Sequence, residues 1–393
     1  MVTITSSKMA TSPSNLHSKL PSTGTSIFTV MSQMAQEYNA INLSQGFPDF
    51  SSDPKLIKLV GNYMRKGFNQ YAPMQGIIKL REAIAEKMEF MYTAKYDPET
   101  EITITAGATQ AIYTAITSVV NEGDEVIVFE PAYDCYVPAI KINGGVPIQV
   151  ELEPPDYSIN WANIKKLISQ RTRLIILNTP QNPTGSVLSA ADMLQLDKIT
   201  QNTDIMILSD EVYEHIIFDK LEHQSIARYP NLVNRSFLVF SFGKTFHNTG
   251  WKIGYCLAPE NMMKEFRKIH QFIVFTVNTP MQHAFAEFVT NKDNYLQLSQ
   301  FYEDKRNYFN DLLTGSNFKI IESKGTYFEL LDYSEITEEA DTAYAERLTK
   351  DNGIASIPIS VFYRNTIDRK ILRFCFAKSE ETLQKAAEKL CKI

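Results

Sequence analysis

Cysteine is scarce. The 393 residues contain four, Cys135, Cys256, Cys375 and Cys391, widely spaced and without a Cys-x-x-Cys pair. That pattern points away from a disulfide scaffold and predicts reduced thiols in a cytoplasmic protein. No apolar run approaches the length of a membrane span, so no membrane partner is expected. Charge of one sign is not concentrated either: 39 Lys and Arg against 45 Asp and Glu give a net charge of −6, mixed along the chain. Nucleic acid is therefore not expected as a partner, because phosphate backbones call for clustered Lys and Arg. The opening segment MVTITSSKMATSPSNLHSKLPSTGTS is rich in Ser and Thr and lacks the apolar centre of a signal peptide, so a loose arm is expected there.

Two familiar phosphate motifs are missing as well. No Gly-x-Gly-x-x-Gly stretch supports a dinucleotide fold. Gly243-Lys244-Thr245 ends as a P-loop does, but the glycine required five residues before Gly243 is Leu238. Glu211, Glu214 and His215 lie close together without a second histidine at ligand spacing, so no metal is expected and they read as surface and hinge residues.

What is present is a large globular composition, 44% hydrophobic and 21% charged, with length for two or three domains or one large α/β domain with a companion. The middle third alternates short apolar runs with helical patterns: EITITAG, DEVIVFEPAY, RLIILNTPQNPTG, DIMILSDEVYEHIIF and SFLVFSFGKTF, with helices such as SAADMLQLDKITQNT between some of them. Continuous apolar strands alternating with helices predict an α/β fold with a mostly parallel sheet covered on both faces. From about Ala258 helices follow in series. A βαβ-like tail then ends in a helix with Leu383, Ala386, Ala387 and Leu390 on one face and Glu380 and Glu381 in its first turn. The expected division is a large domain over residues 45–285, with residues 1–44 and 286–393 forming the arm and a smaller α+β domain.

In parallel sheets ligands bind beyond the carboxyl ends of the strands. After ITIT come Gly107, Ala108 and Thr109, small residues opening a helix whose free N–H groups suit a phosphate. After VIVFEP comes Tyr133, a stacking platform or an ordinary packing residue. Asn182 lies in a turn sequence, with a hydrogen-bonding or a purely structural role. Asp210 ends a buried strand, where an acid is costly unless it meets a cation or donors; the plain alternative points it to water. Tyr213 follows. Ser241 and Lys244 end another buried strand, and Lys252 comes eight residues later. In KILRFCF, Arg373 shares a strand face with Ile371 and Cys375, suiting a structural salt bridge or a substrate carboxylate. None of these decides alone. Together they describe a phosphate cradle, a π-face, neutral donors, a buried acid and a poised lysine, the set that pyridoxal 5′-phosphate requires.

The motifs NTPQNPTG, SDEVYEH and SFGKTFHNTGWKIGY, in this order and spacing, resemble those of class I aminotransferases of fold type I. The stretches LSQGFPDF, NQYAPMQG, EPAYDCY, VNTPMQ and IPISVFY are similar to the methionine and kynurenine/glutamine subgroup. The resemblance runs from INLSQGFPDF to LRFCFAK and implies a seven-stranded central sheet between helices. It also implies roles. Lys244 matches the lysine that bonds the cofactor aldehyde, Asp210 the acid at the pyridine nitrogen, and Tyr213 and Asn182 the donors to the ring oxygen. Tyr133 matches the stacking aromatic, commonly Phe in relatives. Ala108, Thr109, Ser241 and Lys252 match phosphate contacts. Tyr71 matches a residue that reaches the neighbouring subunit's phosphate, which implies a homodimer with shared sites. Arg373 matches the α-carboxylate clamp, with Gly46 and Asn182 beside the substrate.

The expected activity is transamination of an L-amino acid with an uncharged side chain, methionine first, then glutamine and aromatic amino acids. A ping-pong exchange would release a 2-oxo acid and accept a second one, with the free Lys244 amine carrying the α-proton. A cysteine-conjugate C–S β-lyase on the same scaffold is the alternative. A cofactor-binding transcription regulator is not expected, since the short arm leaves no room for a DNA-binding domain. A non-catalytic structural protein would have no use for Lys244, Asp210 and Arg373.

Overall fold

The computed structural model describes residues 17–393, so the first sixteen residues of the expected arm lie outside the described residues. In chain order the strands are β1 (Ile41–Asn42), β2 (Ile102–Thr105), β3 (Glu125–Glu130), β4 (Val146–Glu151), β5 (Thr172–Asn178), β6 (Met206–Asp210), β7 (Ser236–Ser241), β8 (Gly254–Leu257), β9 (Lys319–Ile321), β10 (Phe328–Asp332), β11 (Ile354–Ala355), β12 (Ile357–Pro358) and β13 (Ile371–Cys375).

Seven strands form one sheet in the order β2-β8-β7-β6-β5-β3-β4. The pairs from β7 across to β4 are parallel, and β8 runs antiparallel to both β7 and β2. Residues alternate between two apolar layers. Ile127, Ile175, Ile207 and Leu238 face one core, while Val128, Ile176, Leu208 and Val239 face the other. Both faces are covered, so these strands read as unbroken apolar runs. Helix Ala108–Val119 lays Ala111, Ile112, Ala115 and Ile116 on the second layer, and helix Ile78–Tyr92 lays Leu80, Ile84 and Met88 on the first.

The tail builds a four-stranded antiparallel sheet, β12-β13-β10-β9. Helix Asp341–Asp351 leads across from β10, so β10 and β12 flank β13. The C-terminal helix Glu380–Leu390 buries the four apolar residues expected of it. β1 pairs in parallel with β11, tying the segment before residue 45 to the tail.

The single reversed strand sets up the site. Because β8 is antiparallel, its first residue, Gly254, sits opposite both Ser241 and Thr105, at the edge where the parallel strands end. A Cβ on Gly254 would lie 2.7 Å from the Phe240 carbonyl oxygen and 3.1 Å from the Ala108 nitrogen, so only glycine lets the backbones come this close. Lys252, two residues earlier, is thereby delivered beside Ser241 and the start of helix Ala108–Val119.

The loop after β6 corrects one expectation. Glu211, Glu214 and His215 are buried, not surface residues. The Glu214 carboxylate accepts hydrogen bonds from Lys87 Nζ at 2.6 Å and from the Tyr92 hydroxyl at 2.6 Å. Glu211 accepts from Ser209 at 2.8 Å and from the Ile226 N–H at 3.1 Å, and it pairs with His223 at 2.9 Å. Burial alone would raise the Glu214 carboxyl, but the Lys87 ammonium and the hydrogen bonds from Lys87 and Tyr92 outweigh it and hold the group at about 2. His215 is pushed down to about 3 by burial, so at neutral pH it is uncharged and Lys87 is the counter-ion of Glu214. A carboxyl lowered on folding adds stability above its unfolded value of about 4.3 and loses it as pH falls from there to about 2. Lys87→Met strands the buried carboxylate and should cost roughly 3–5 kcal/mol at neutral pH. The deficit should narrow as pH falls toward about 4, where protonation removes the stranded charge; urea midpoints of wild type and variant at the two pH values check both.

Candidate active site

The carboxyl edge of the central sheet opens on a pocket. Nine of the residues singled out in the sequence line it: Ala108 and Thr109, Tyr133, Asn182, Asp210 and Tyr213, and Ser241, Lys244 and Lys252. All but Lys252 sit at or just past the end of a strand, which is how a parallel sheet gathers residues far apart in sequence; Lys252 lies just before the reversed β8.

At one end, Lys252 and the start of helix Ala108–Val119 converge. A Cβ on Gly107 would be 3.2 Å from Lys252 Nζ, which places the ammonium against the first turn. Among the described residues Lys252 forms no ion pair. A cation and a helix N-terminus repel one another unless an anion lies between them, so this end suits a phosphate. Ser241 adds a hydroxyl to its lining.

Asp210 lies on the pocket wall and is buried. Its Oδ2 accepts from the Tyr136 hydroxyl at 2.6 Å and its Oδ1 from the Val212 N–H at 3.3 Å. Burial raises the carboxyl to about 6, with these donors and Lys244 pulling the other way. A protonated ring nitrogen opposite it would supply the missing cation. Tyr133 and Tyr213 are both pushed up by burial and stay neutral phenols.

Lys244 follows β7 on a short helix, Phe242–Thr245. Burial lowers its amine to about 8, and the nearby Arg373 and Lys252 cations push the same way. Its Nζ donates to the Tyr327 oxygen at 2.8 Å and to the Gly46 carbonyl at 3.2 Å. Gly46 is thus brought to the lysine, and a side chain there would meet the Phe328 ring at 2.7 Å.

Arg373, in β13, is fully buried. Its Nη1 donates to Asn182 Oδ1 at 2.7 Å and its Nη2 to the Ser44 carbonyl at 2.9 Å. The guanidinium lies 3.8 Å from the centre of the Phe328 ring, and among the described residues its Nε has no partner. No carboxylate pairs with it among the described residues, so a buried donor and a buried charge await an anion. Burial holds its pKa down to about 10. The structural salt bridge that the sequence left open is not formed.

Tyr71 stands apart. It is 79% exposed and packs edge-on against Phe275 at 5.2 Å, outside the pocket of its own chain. His247 also stays out of the lining; it packs against Phe50 and Phe301, and burial holds its imidazole down to about 4. Sequence reasoning missed Tyr136, Asn178, Tyr327 and Phe328. Asn178 ends β5, accepts from the Asn182 N–H at 2.8 Å and donates to the Asp210 carbonyl at 3.0 Å, so it braces two site residues. As the last residue of an apolar run it carried the same positional signal as Asp210. Tyr136, Tyr327 and Phe328 had no such signal, because their contacts join segments remote in sequence.

The donor set fits pyridoxal 5′-phosphate: an anion site at one end, a buried acid between neutral phenols, an amine with a lowered pKa, and beyond it a guanidinium lacking its anion. Residues 38–390 match the family described as "Aminotransferase class I and II". The methionine aminotransferase of Escherichia coli strain K12 is 47% identical over 383 residues, covering 97% of this chain and 99% of that protein. A solved Escherichia coli structure, identified with a methionine aminotransferase function, has a TM-score of 0.95 at 46% identity, covering 97% of this chain and 100% of its own. The kynurenine–oxoglutarate transaminase of Dictyostelium discoideum is 34% identical, covering 94% of each chain. The chain therefore belongs to the class I and II aminotransferases and is an enzyme of amino-acid transamination that depends on pyridoxal 5′-phosphate.

Proposed function

We propose that this aminotransferase takes an L-amino acid with an uncharged side chain, methionine in the first place and glutamine or aromatic amino acids after it, and passes the amino group to a 2-oxo acid. One observation carries the side-chain class: Arg373, the cation for the α-carboxylate, is ringed by Phe28, Phe328 and Phe362 at 5.3, 3.8 and 5.7 Å. Aromatic faces suit a thioether or another aromatic and offer nothing to a second carboxylate. The names of the methionine and kynurenine relatives support the same reading and lend none to the C–S β-lyase alternative.

Pyridoxal 5′-phosphate, when bound, supplies the electron sink that makes the amino acid's Cα–H acidic. The chain does the rest. Lys252, Ser241 and the N–H groups of Ala108 and Thr109 hold the phosphate. Asp210, kept in place by Tyr136, holds the proton on the ring nitrogen. Tyr213 and Asn182 donate to the ring oxygen, and Tyr133 covers the ring face. Arg373 fixes the α-carboxylate, with Asn182 and Gly46 beside the substrate. Lys244 is the amine for the cofactor aldehyde and, once freed by the substrate, the base that moves the α-proton.

The two sheets support the division into residues 45–285 and residues 1–44 with 286–393: the central sheet lies within the first and the antiparallel sheet within the second. A homodimer with shared sites is supported by the exposed aromatics Tyr71, Phe272 and Phe275, at 79%, 87% and 57%, a patch a lone chain would leave in water. The four unpaired cysteines support a reducing compartment, the cytoplasm.

Lys244→Ala should fold and still bind the cofactor weakly, while turnover falls roughly a hundred- to ten-thousand-fold; normal turnover would sink the assignment. In a donor panel followed through the cofactor's absorbance change, methionine should lead and aspartate and glutamate should trail; the reverse order removes the substrate class. Sedimentation should give twice the 44.7 kDa of one chain. Tyr71→Phe should keep that mass but weaken cofactor affinity by roughly tenfold or more through loss of one hydrogen bond to a charged group.

A further inference from the structure

A neutral primary amine has two N–H bonds and one lone pair, whereas an ammonium has three N–H donors. Among the described residues Lys244 Nζ meets two acceptors, the Tyr327 oxygen at 2.8 Å and the Gly46 carbonyl at 3.2 Å. The Tyr327 hydroxyl spends its own proton on the same Gly46 carbonyl, at 2.5 Å, so towards the lysine it acts as an acceptor. Two acceptors use up the two N–H bonds of a neutral amine and leave its lone pair free. A third N–H would have no partner there until a substrate arrives.

The phenol is held firmly. Its ring is buried and sits edge-on to Tyr213 at 5.1 Å, tilted against Tyr302 at 5.7 Å and edge-on to Phe328 at 4.9 Å. Its main chain is fixed at a crossing between the two sheets. Thr326 has φ +68 and donates its N–H to the Ile216 carbonyl at 2.9 Å, and a Cβ on Gly325 would strike Pro180 at 2.7 Å. The next residue, Phe328, is the ring against Arg373. One short segment therefore touches both the amine and the carboxylate clamp.

We propose that Tyr327 is a further positioning residue of this site: tied to the Gly46 carbonyl, its hydroxyl oxygen accepts from the free Lys244 amine and fixes it with the lone pair turned to the substrate's α-carbon. The inference rests on the proposed role of Lys244 as the base. In the step it serves, the Cα–H bond breaks and an N–H bond forms at Nζ, while the electron pair of the broken bond stays with the substrate carbon and its conjugated system. The resulting ammonium has three donors, two on Tyr327 and Gly46 and one aimed back at the substrate, from which the proton is returned.

The test uses holoenzyme loaded with pyridoxamine 5′-phosphate, the form in which Lys244 is free. Trace acetylation across pH, read by peptide mass spectrometry, gives the titration midpoint of that one amine. In wild type it should lie below the ordinary lysine value, because burial disfavours the ammonium. Tyr327→Phe keeps the ring and removes an acceptor for the ammonium, so the midpoint should move down. Its methionine half-reaction should slow roughly ten- to a hundredfold, as for a misplaced reacting group. KM should stay within about threefold, because the carboxylate clamp is untouched, and the isotope effect from α-deuterated methionine should rise. Tyr302→Phe is the control: among the described residues that hydroxyl has no hydrogen-bond partner, so the substitution should leave all four readouts unchanged. A wild-type half-reaction rate in Tyr327→Phe overturns the proposal whatever the labelling shows. Should that variant not fold, a wild-type midpoint near the ordinary lysine value of about 10.4 overturns it instead. The role of Lys244 itself fails separately, through turnover in Lys244→Ala.

Discussion

Two cations and a buried amine face the site, and one buried carboxylate answers them. Lys244, Lys252 and Arg373 form no ion pair among the described residues, and Asp210 is the acid in the pocket wall. Burying charge without a counter-charge is costly, so the arrangement persists because its partners arrive from solution: a phosphate at one end and a carboxylate at the other. The rest of the architecture serves that imbalance. The parallel strands bring Asp210, Tyr133 and Asn182 to one edge, and the reversed β8 brings Lys252 back to it. The antiparallel sheet of the tail carries Arg373 to the far side, where Asn182 links the two halves through a 2.7 Å hydrogen bond.

Much of this was legible in the sequence, for a physical reason. A sheet covered on both faces needs unbroken apolar strands, and the first polar residue after each strand marks the edge where ligands bind. Asp210, Ser241 and Lys244 follow that rule, as does Asn178, which went unread. Arg373 was visible for a different reason: an arginine within an apolar strand must be matched by something. The reversal of β8 was not legible, because antiparallel and parallel strands of four residues share one composition.

The residues that escaped act across long sequence distances. Lys87 and Tyr92 neutralise and bind Glu214 from more than a hundred positions away, so a run of acids after a strand looked like surface when it was core. Tyr136 and Tyr327 are single tyrosines among nineteen. Nothing local distinguishes a phenol that binds a catalytic group from one that packs, since both need an apolar setting for the ring and a partner for the hydroxyl. Tyr71 is the opposite case: its motif was plain, and among the described residues its one aromatic contact is Phe275.

The cradle of Lys244 is built half from side chain and half from main chain. The phenol half is encoded by one codon and can be lost by one substitution. The carbonyl half belongs to the path of the backbone at Gly46, which a larger residue would push against the Phe328 ring but no change of side chain can delete. Mutational robustness is therefore uneven within a few ångströms. Drift at position 327 can adjust the amine through its second acceptor, while the first is inherited by any sequence that still traces this loop.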